Sequence, residues 1–412
     1  MGGVEVYLRG VVRSLQPEHE VLVFSRGVLG ARKHLEVSRS REDGAEVTRV
    51  HVDLRALRDY RSVYQRDEVD RVFREYLVEK KPDLVHIHHL GGLSLGLIPT
   101  ARSLGLPVIF TLHDHAPFCP RGQRIRNDKR ICRTLELEDC LECIKPQCVG
   151  QTRPAKAALY LLAKERGKRY LTEMRLAIYQ AFAQVDRFIA PSASHRERLA
   201  EAGIKAEKVA VLPYGLDLRA LESVPRRPAG APVRRFGYLG TLIPSKGVED
   251  LIKAFKQMQT PGCSLHFHGE AVPYHGLVDY DRRLAEMARA AEISFYGPYQ
   301  PEEMGRVLAE LDAVVMPSRW YESFGITIRE AFRVGRPVIV SNIGAFTEAV
   351  THLQNGLVFP AGDVFALAER LDLLARDPAL AERLAAAAGP VEPLALHRDK
   401  LLALYREVAR TG

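Results

Sequence analysis

Apolar residues at Val4, Tyr7, Leu8, Val11, Val12 and Leu15 recur every three or four positions, which predicts a helix over residues 3–15 with one face turned to a core. The run Val21-Leu22-Val23-Phe24, inside Glu20 to Ser25, reads as a short strand. The alternation continues with helical spacing from Val69 to Lys80, a strand at Leu84–His88, a helix near Ser94–Leu104 and a strand at Val108–Leu112. A long amphipathic stretch from about Pro154 to Gln184 precedes strands at Arg187–Ala190 and Val209–Leu212. Short apolar runs separated by amphipathic helices are the pattern of a parallel α/β sheet, whose strands are covered on both faces.

Residues 216–232, with Pro225, Pro228 and Pro232 and little apolar periodicity after Leu221, read as a linker. The alternation then restarts. Strands are predicted at Phe236–Leu239, Ser264–His268, Ile293–Tyr296, Ala313–Met316 and Val338–Ser341, with helices near Gly247–Met258, Tyr280–Ala291, Pro301–Leu308 and Phe324–Val334. The organisation expected is two doubly wound α/β domains, 1–215 and 233–390, facing each other across a cleft. A helical segment, 391–412, is expected to pack back on the first domain. Ligands of open α/β sheets sit beyond the strand C-termini, so the loops after Leu239, His268, Tyr296, Met316 and Ser341 should line the cleft. A domain of this kind opens with a strand, whereas this one opens with a helix, and a strand upstream of Met1 is the expectation.

The length of 412 residues exceeds one ordinary core and fits two domains. Hydrophobic residues at 46% and charged residues at 27% favour a folded chain over a disordered one. No apolar run of about 18 residues is present and Met1-Gly2-Gly3-Val4-Glu5 lacks the pattern of a secretory leader, so the expected site of action is cytoplasmic. The formal charge of +8 is concentrated between Arg121 and Arg175. Such an excess suits phosphate-bearing ligands, nucleic acid or an anionic membrane face, and equally a solvated basic surface.

The stretch from Met316 to Phe332 carries the candidate chemistry. Glu322 falls in the loop after a strand and Glu330 two turns along the following helix. The amides of Ser323, Phe324, Gly325 and Ile326 would open that helix, so they can meet a diphosphate while the two carboxylates reach hydroxyls on either side of it. Alone, Glu322 could be a first-turn acid on the helix dipole and Glu330 a paired surface residue. Both in one unit, between Pro317-Ser318 and Gly335-Arg336-Pro337-Val338, favour the ligand reading.

This order, continued by Gly344-Ala345-Phe346-Thr347-Glu348 and Gly356-Leu357-Val358, resembles glycosyltransferase family 4, retaining enzymes built from two facing Rossmann-like domains (the GT-B fold). The resemblance runs from Gly2-Gly3, similar to the family's glycine loop, to the C-terminal helices. It implies that Glu322 contacts the donor sugar and Glu330 the ribose. It implies too that Ser323 to Ile326 bind sugar and pyrophosphate, that Lys246 neutralises the diphosphate, and that His113 approaches the sugar. Gly2 and Gly3 would lie near the diphosphate or the acceptor. No cofactor is required by that chemistry, since the departing phosphate takes the acceptor proton while the protein orients and stabilises charge.

Two departures stand out. Thr241, after Gly240, occupies the place where the family generally has an arginine, and Arg319 is a candidate to compensate. His268-Gly269-Glu270 stands where a Gly-x-Gly often follows the next strand.

Five of six cysteines lie between 119 and 148. Cys140 and Cys143 have a spacing suited to tetrahedral thiolate ligation, and Cys132 with Cys148 could complete a structural zinc site; reduced buried thiols or a redox-labile loop are the alternatives. The function expected is retaining transfer from a UDP- or GDP-sugar to a glycan or lipid-linked acceptor in cell-surface polysaccharide or glycoconjugate synthesis. Peripheral contact with the inner face of the membrane would present the acceptor. A nucleotide-sugar-binding module without turnover, motivated by Thr241, is the first rival; a nucleic-acid-binding protein using the basic insert is the second, and no specific nucleic acid is expected.

Overall fold

Strands form where the chain is apolar on both faces, and helices where one stripe alone must be buried. The computed structural model describes residues 2–16, 18–54, 61–148 and 157–411. In the N-terminal half these are α1 (Gly3–Leu15), β1 (Leu22–Gly27), β2 (Val37–Glu42), β3 (Ala45–His51), α2 (Asp67–Lys80), β4 (Val85–Ile87), α3 (Leu97–Ser103), β5 (Val108–Thr111), α4 (Leu137–Cys148), α5 (Ala157–Ala183), β6 (Arg187–Ala190), α6 (Ala193–Glu201) and β7 (Val209–Val211). The C-terminal half adds β8 (Arg235–Leu239), α7 (Val248–Gln257), β9 (Ser264–His268), α8 (Tyr280–Ala288), β10 (Ile293–Phe295), α9 (Met304–Ala309), β11 (Ala313–Met316), α10 (Ile326–Arg333), β12 (Val338–Ser341), α11 (Phe346–Ala349), β13 (Leu357–Phe359), α12 (Val364–Arg376), α13 (Pro378–Ala386) and α14 (Leu394–Thr411).

The second domain is one parallel sheet of order β10-β9-β8-β11-β12-β13. Alternate residues of each strand feed opposite cores. Ala313 and Val315 pack with Phe236, Phe267 and helices α7 and α12, whereas Val314 and Met316 pack with Leu239, Val340 and helices α9 and α10. Strand order reverses between β8 and β11, and a crevice opens beyond the ends of the two strands at such a switch point. The loops after Leu239 and Met316 therefore meet.

The first domain differs from the single parallel sheet that the pattern predicts. It holds a parallel sheet β4-β5-β6-β7 and a separate mixed sheet β1-β3-β2, in which β2 runs antiparallel to β3 across the Asp43-Gly44 turn. Strand β2 was not predicted because it is largely exposed and polar, Val-Ser-Arg-Ser-Arg-Glu, leaving no apolar run to read. Among the described residues, no strand precedes α1. Helices α2, α3 and α5 cover one face of the domain. The other face is covered by α1 and by α14, which returns from the far end of the chain so that Tyr7, Val11, Leu401 and Leu402 share a cluster with Ile109 and Ile189. Where the chain crosses between the domains, its two passages lie side by side: Leu216 N–H donates to Glu392 O at 2.9 Å and Leu394 N–H to Leu216 O at 3.0 Å.

Candidate functional site

Glu322 lies in the loop between β11 and α10, 6% exposed. Its Oε1 accepts from Ser318 Oγ at 2.5 Å, Trp320 Nε1 at 2.7 Å and Lys246 Nζ at 2.6 Å. Lys246 comes from the turn after β8, and its ammonium also lies 5.1 Å from the centre of the Trp320 ring. That turn can approach the loop because Gly247, in the left-handed region at φ 72°, has no Cβ; one built there would collide with the carbonyl oxygen of Pro317. Charge-assisted hydrogen bonds of this kind hold a carboxylate with little freedom.

Helix α10 begins at Ile326 behind Gly325, and no side chain caps it, so its first-turn amides are left for another acceptor. Helix α1 likewise begins behind Gly2 without a side-chain cap. The two mouths adjoin, since a Cβ on Gly3 would fall 3.4 Å from Ile326 Cδ1. Glu5, exposed, folds back over Gly2. Two helix N-termini beside a lysine make an environment for an anion. Glu330, about one turn into α10, has its Oε2 buried without a hydrogen-bond partner. Burial pushes its carboxyl up to about 7. A buried acceptor lacking a donor is what a bound hydroxyl would satisfy. Tyr299 sits close enough that the charge of Glu330 helps push its phenol upward, after the larger effect of burial.

The other candidates on this domain divide. Gly240 N–H donates to His268 O at 2.9 Å, and the Thr241 carbonyl accepts from Tyr238 at 2.8 Å, so this loop is fixed through its main chain. Arg319 is held instead by the buried Asp250, in a two-pronged pair with Nη2 to Oδ1 at 2.6 Å. It opens on a cavity of about 440 Å³ lined also by Lys129, Arg130, Arg133 and Gly362.

On the N-terminal side, His113 follows β5 and is 4% exposed. Both ring nitrogens are engaged, Nε2 with His88 Nδ1 at 3.0 Å and Nδ1 with the Tyr214 hydroxyl. Burial holds its pKa well below the ordinary value, so the ring is neutral. Tyr214 in turn packs on Phe324, centroids 4.8 Å apart, which places His113 one ring away from the mouth of α10. The network reaches α14 through Tyr7 and His397 (2.8 Å) and through His86 and Tyr405 (2.7 Å).

The sequence profile described as Glycosyltransferase Family 4 matches residues 1–220, and that of Glycosyl transferases group 1 matches residues 228–389. The chain belongs to glycosyltransferase family 4. Its two facing α/β domains are the GT-B fold. This family 4 chain is 34% identical over 206 residues to a glycogen synthase of Mycobacterium tuberculosis (strain CDC 1551 / Oshkosh), covering 49% of each protein. It is 29% identical over 210 residues to a phosphatidyl-myo-inositol mannosyltransferase of Mycobacterium leprae, covering 49% of this chain and 54% of that one. The aligned region spans about half the length of these curated relatives. Among solved structures, sucrose-phosphate synthase from Thermosynechococcus elongatus superposes with a TM-score of 0.69 at 18% identity, over 100% of this chain and 94% of the other. Anabaena HepE, solved with UDP and glucose, gives 0.66 at 19%, over 98% and 96%. At such identities the likeness concerns the fold.

Within this family 4 chain the cysteine-bearing insert reaches the second domain, where Lys129 Nζ lies 3.2 Å from Glu249 Oε2. Cys119, Cys132, Cys140 and Cys143 are free and buried, and the side chain of Cys148 lies outside the described residues. Among the described residues, no three potential ligands gather as a metal site. Cys132 Sγ donates to Thr134 O at 3.0 Å and Cys140 Sγ accepts from Arg175 Nη2 at 3.2 Å. Burial pushes the Cys140 thiol up to about 11.

Several residues at the site escaped sequence reading: Ser318, Trp320, Asp250, Tyr299 and Tyr214. Trp320 carried a signal, as the single tryptophan of the chain two positions before Glu322. Tyr214 and Asp250 carried none, because their distance from the loop is closed only by folding.

Proposed function

We propose that this chain transfers a sugar from a nucleoside diphosphate donor to a hydroxyl acceptor with net retention and without a catalytic metal. The observation that carries the reading is the Lys246–Glu322 pair at the uncapped mouth of α10, with the partnerless Glu330 oxygen further along the same helix. The diphosphate lies against the α10 amides and the Lys246 ammonium, which stabilises the leaving group as its charge grows. Glu330 accepts from ribose hydroxyls, and Glu322 accepts from a hydroxyl of the donor sugar through the oxygen that the protein leaves open. The departing phosphate takes the acceptor proton. The activities named for the curated relatives, and the UDP and UDP-glucose held by the Anabaena structures, support a nucleotide-sugar donor.

The acceptor class proposed is a glycan or lipid-linked oligosaccharide in cell-surface synthesis, gathered by the basic N-terminal half at the inner face of the membrane. No helix among the described residues is long and apolar enough to cross a bilayer. A screen of UDP- and GDP-sugars, with mass detection of products, tests the proposal, and turnover undiminished in a Glu322→Ala, Lys246→Ala double variant sinks it. Thr241 favours a second reading, a module that binds donor without turnover. Tight donor binding by calorimetry, with no transfer or donor hydrolysis across a broad acceptor panel, would select it. A zinc held by Cys132, Cys140, Cys143 and Cys148 would be structural. Metal analysis of protein purified without added metal decides it: about one zinc per chain supports the tetrathiolate site, and none removes it.

A further inference from the structure

The residue before Glu322 belongs by sequence to the second domain and by contact to the first. The Tyr321 ring lies against two guanidinium groups of the N-terminal domain, its centroid 5.4 Å from Arg124 Cζ and 5.2 Å from Arg198 Cζ. Both arginines are held by one carboxylate, since Glu201 accepts from Arg124 Nη1 at 2.7 Å and from Arg198 Nη1 at 2.7 Å. The two cations are therefore assembled on one anchor and present a paired cationic surface to the ring. The grip extends to the main chain. His115 Nε2 donates to the Tyr321 carbonyl at 3.1 Å, and Ser192 Oγ donates to the Ser323 carbonyl at 2.7 Å. Each carbonyl flanking Glu322 thus accepts from a side chain of the opposite domain.

Arg124 is 2% exposed and sits in the left-handed region at φ 51°. A bulky residue adopts that conformation only when its surroundings demand it. It lies within the cysteine-bearing insert, donating its N–H to Cys119 Sγ at 3.3 Å and accepting from Cys132 N–H at 2.8 Å. The insert thereby supplies one jaw of the grip.

We propose that Tyr321 is a positioning residue: clamped by Arg124, Arg198, His115 and Ser192, the 321–323 segment aims the Glu322 carboxylate, and it does so only while the two domains are closed on each other. When the domains part, the two main-chain hydrogen bonds and the arginine contacts of the Tyr321 ring are lost together, so the Glu322 carboxylate keeps its three donors but its main chain is released on both sides. Closure and orientation of the carboxylate become one event. The role assigned to Glu322 rests on the glycosyl-transfer reading above; the clamp itself rests on the contacts alone.

Trp320, the only tryptophan, adjoins the clamp and donates to Glu322, so its emission reports on the segment directly. The full chain is compared with Tyr321→Phe, Tyr321→Ala and Arg198→Ala. UDP and GDP are titrated separately against Trp320 emission, and turnover is measured with the sugar donor that the wild type uses. Tyr321→Ala and Arg198→Ala are expected to lower kcat on the order of 10- to 100-fold, because a misplacement of about an ångström at a reacting centre has that effect. The nucleotide Kd should stay within about threefold, and Trp320 emission of the free protein should shift to the red. Tyr321→Phe, which keeps the ring, should rescue most of kcat.

Arg198 lies on the partly exposed face of α6, so its variant carries the test should Tyr321→Ala fail to fold. A kcat within twofold of wild type in both alanine variants, or a loss expressed wholly in Kd, overturns the positioning role. A wild type that binds neither nucleotide and turns over no donor overturns the functional reading instead. In that case the emission comparison still decides the clamp: an unchanged Trp320 spectrum in both alanine variants overturns it.

Discussion

Lys246 Nζ and Glu322 Oε1 lie 2.6 Å apart although 76 positions separate them, because one follows β8 and the other β11, the two strands between which the sheet order reverses. In the function proposed, this pair and the open mouth of α10 together would receive the phosphates of the donor. Separation in sequence matters little here, since parallel strands bring their C-terminal loops to one edge of the sheet.

Lys246→Met keeps the stem and removes the charge. Transfer should fall roughly 10²- to 10³-fold, the usual effect of deleting a group that meets developing charge. Glu322 would retain Ser318 and Trp320 as donors but lose its counter-ion, so stability should drop by roughly 1–3 kcal/mol, read from urea unfolding. Unchanged kinetics with the donor identified by screening would remove the lysine from the mechanism.

Glu330 titrates at about 7 rather than in the usual carboxylate range, because burial disfavours its ionised form. With the folded pKa above the unfolded one, the associated stability is full below about 4.5 and is lost as pH rises through about 7. Glu330→Gln should therefore stabilise the ligand-free protein at pH 8, by up to about 3 kcal/mol, and change little near pH 4.5. Thermal unfolding at the two pH values measures the difference, and an equal effect at both would contradict the buried-acid description. Transfer by the same variant should be impaired at either pH, since an amide is the poorer acceptor for a ribose hydroxyl.

Four of the histidines that burial holds neutral push the other way. Burial lowers His86 and His113 well below the ordinary value, His88 to about 3 and His115 to about 4. An unfolded chain would protonate them near 6.5 while the folded one does not. Their contribution is thus fully present above about 6.5 and is lost as pH falls towards the folded values. Each group accounts for at most about 1.4 kcal/mol per pH unit below that point. Four such groups outweigh the opposite trend of Glu330 between pH 7 and 5, so the urea midpoint should fall over that interval. His88→Gln should flatten the slope, and a slope identical to wild type would show that His88 is not buried neutral.

Gly344 stands against the main chain of Glu322 in the left-handed region, φ 57°. A Cβ there would come within 2.5 Å of Glu322 O and 2.6 Å of its N. Gly344→Ala should destabilise by roughly 1–3 kcal/mol and lower kcat through displacement of the Glu322 peptide. Circular dichroism melting and steady-state kinetics on one preparation check both parts.

What the sequence determined by itself is the class of the fold and the places of the strands in the second domain. Strands β11 and β12 lie where the apolar runs do, because a strand buried on both faces is apolar nearly throughout, whereas β9 alternates Leu265 and Phe267 with the polar Ser264, His266 and His268. The carboxylates Glu322 and Glu330 and the glycine-opened helix could be named as candidates from spacing, since spacing along a loop and helix is local geometry, whereas Lys246 was named only through the family resemblance. The hairpin of β2 and β3 around Asp43-Gly44 was not read from the sequence, since β2 is largely exposed and polar. Tertiary structure alone decided which charges pair. It drew Arg319 to Asp250, engaged both nitrogens of His113, and folded α14 back over α1. It also set Tyr321 against two arginines of the opposite domain. Those outcomes depend on which distant surfaces meet, and a side chain selects among equally charged partners by distance and burial, neither of which is written in the order of residues.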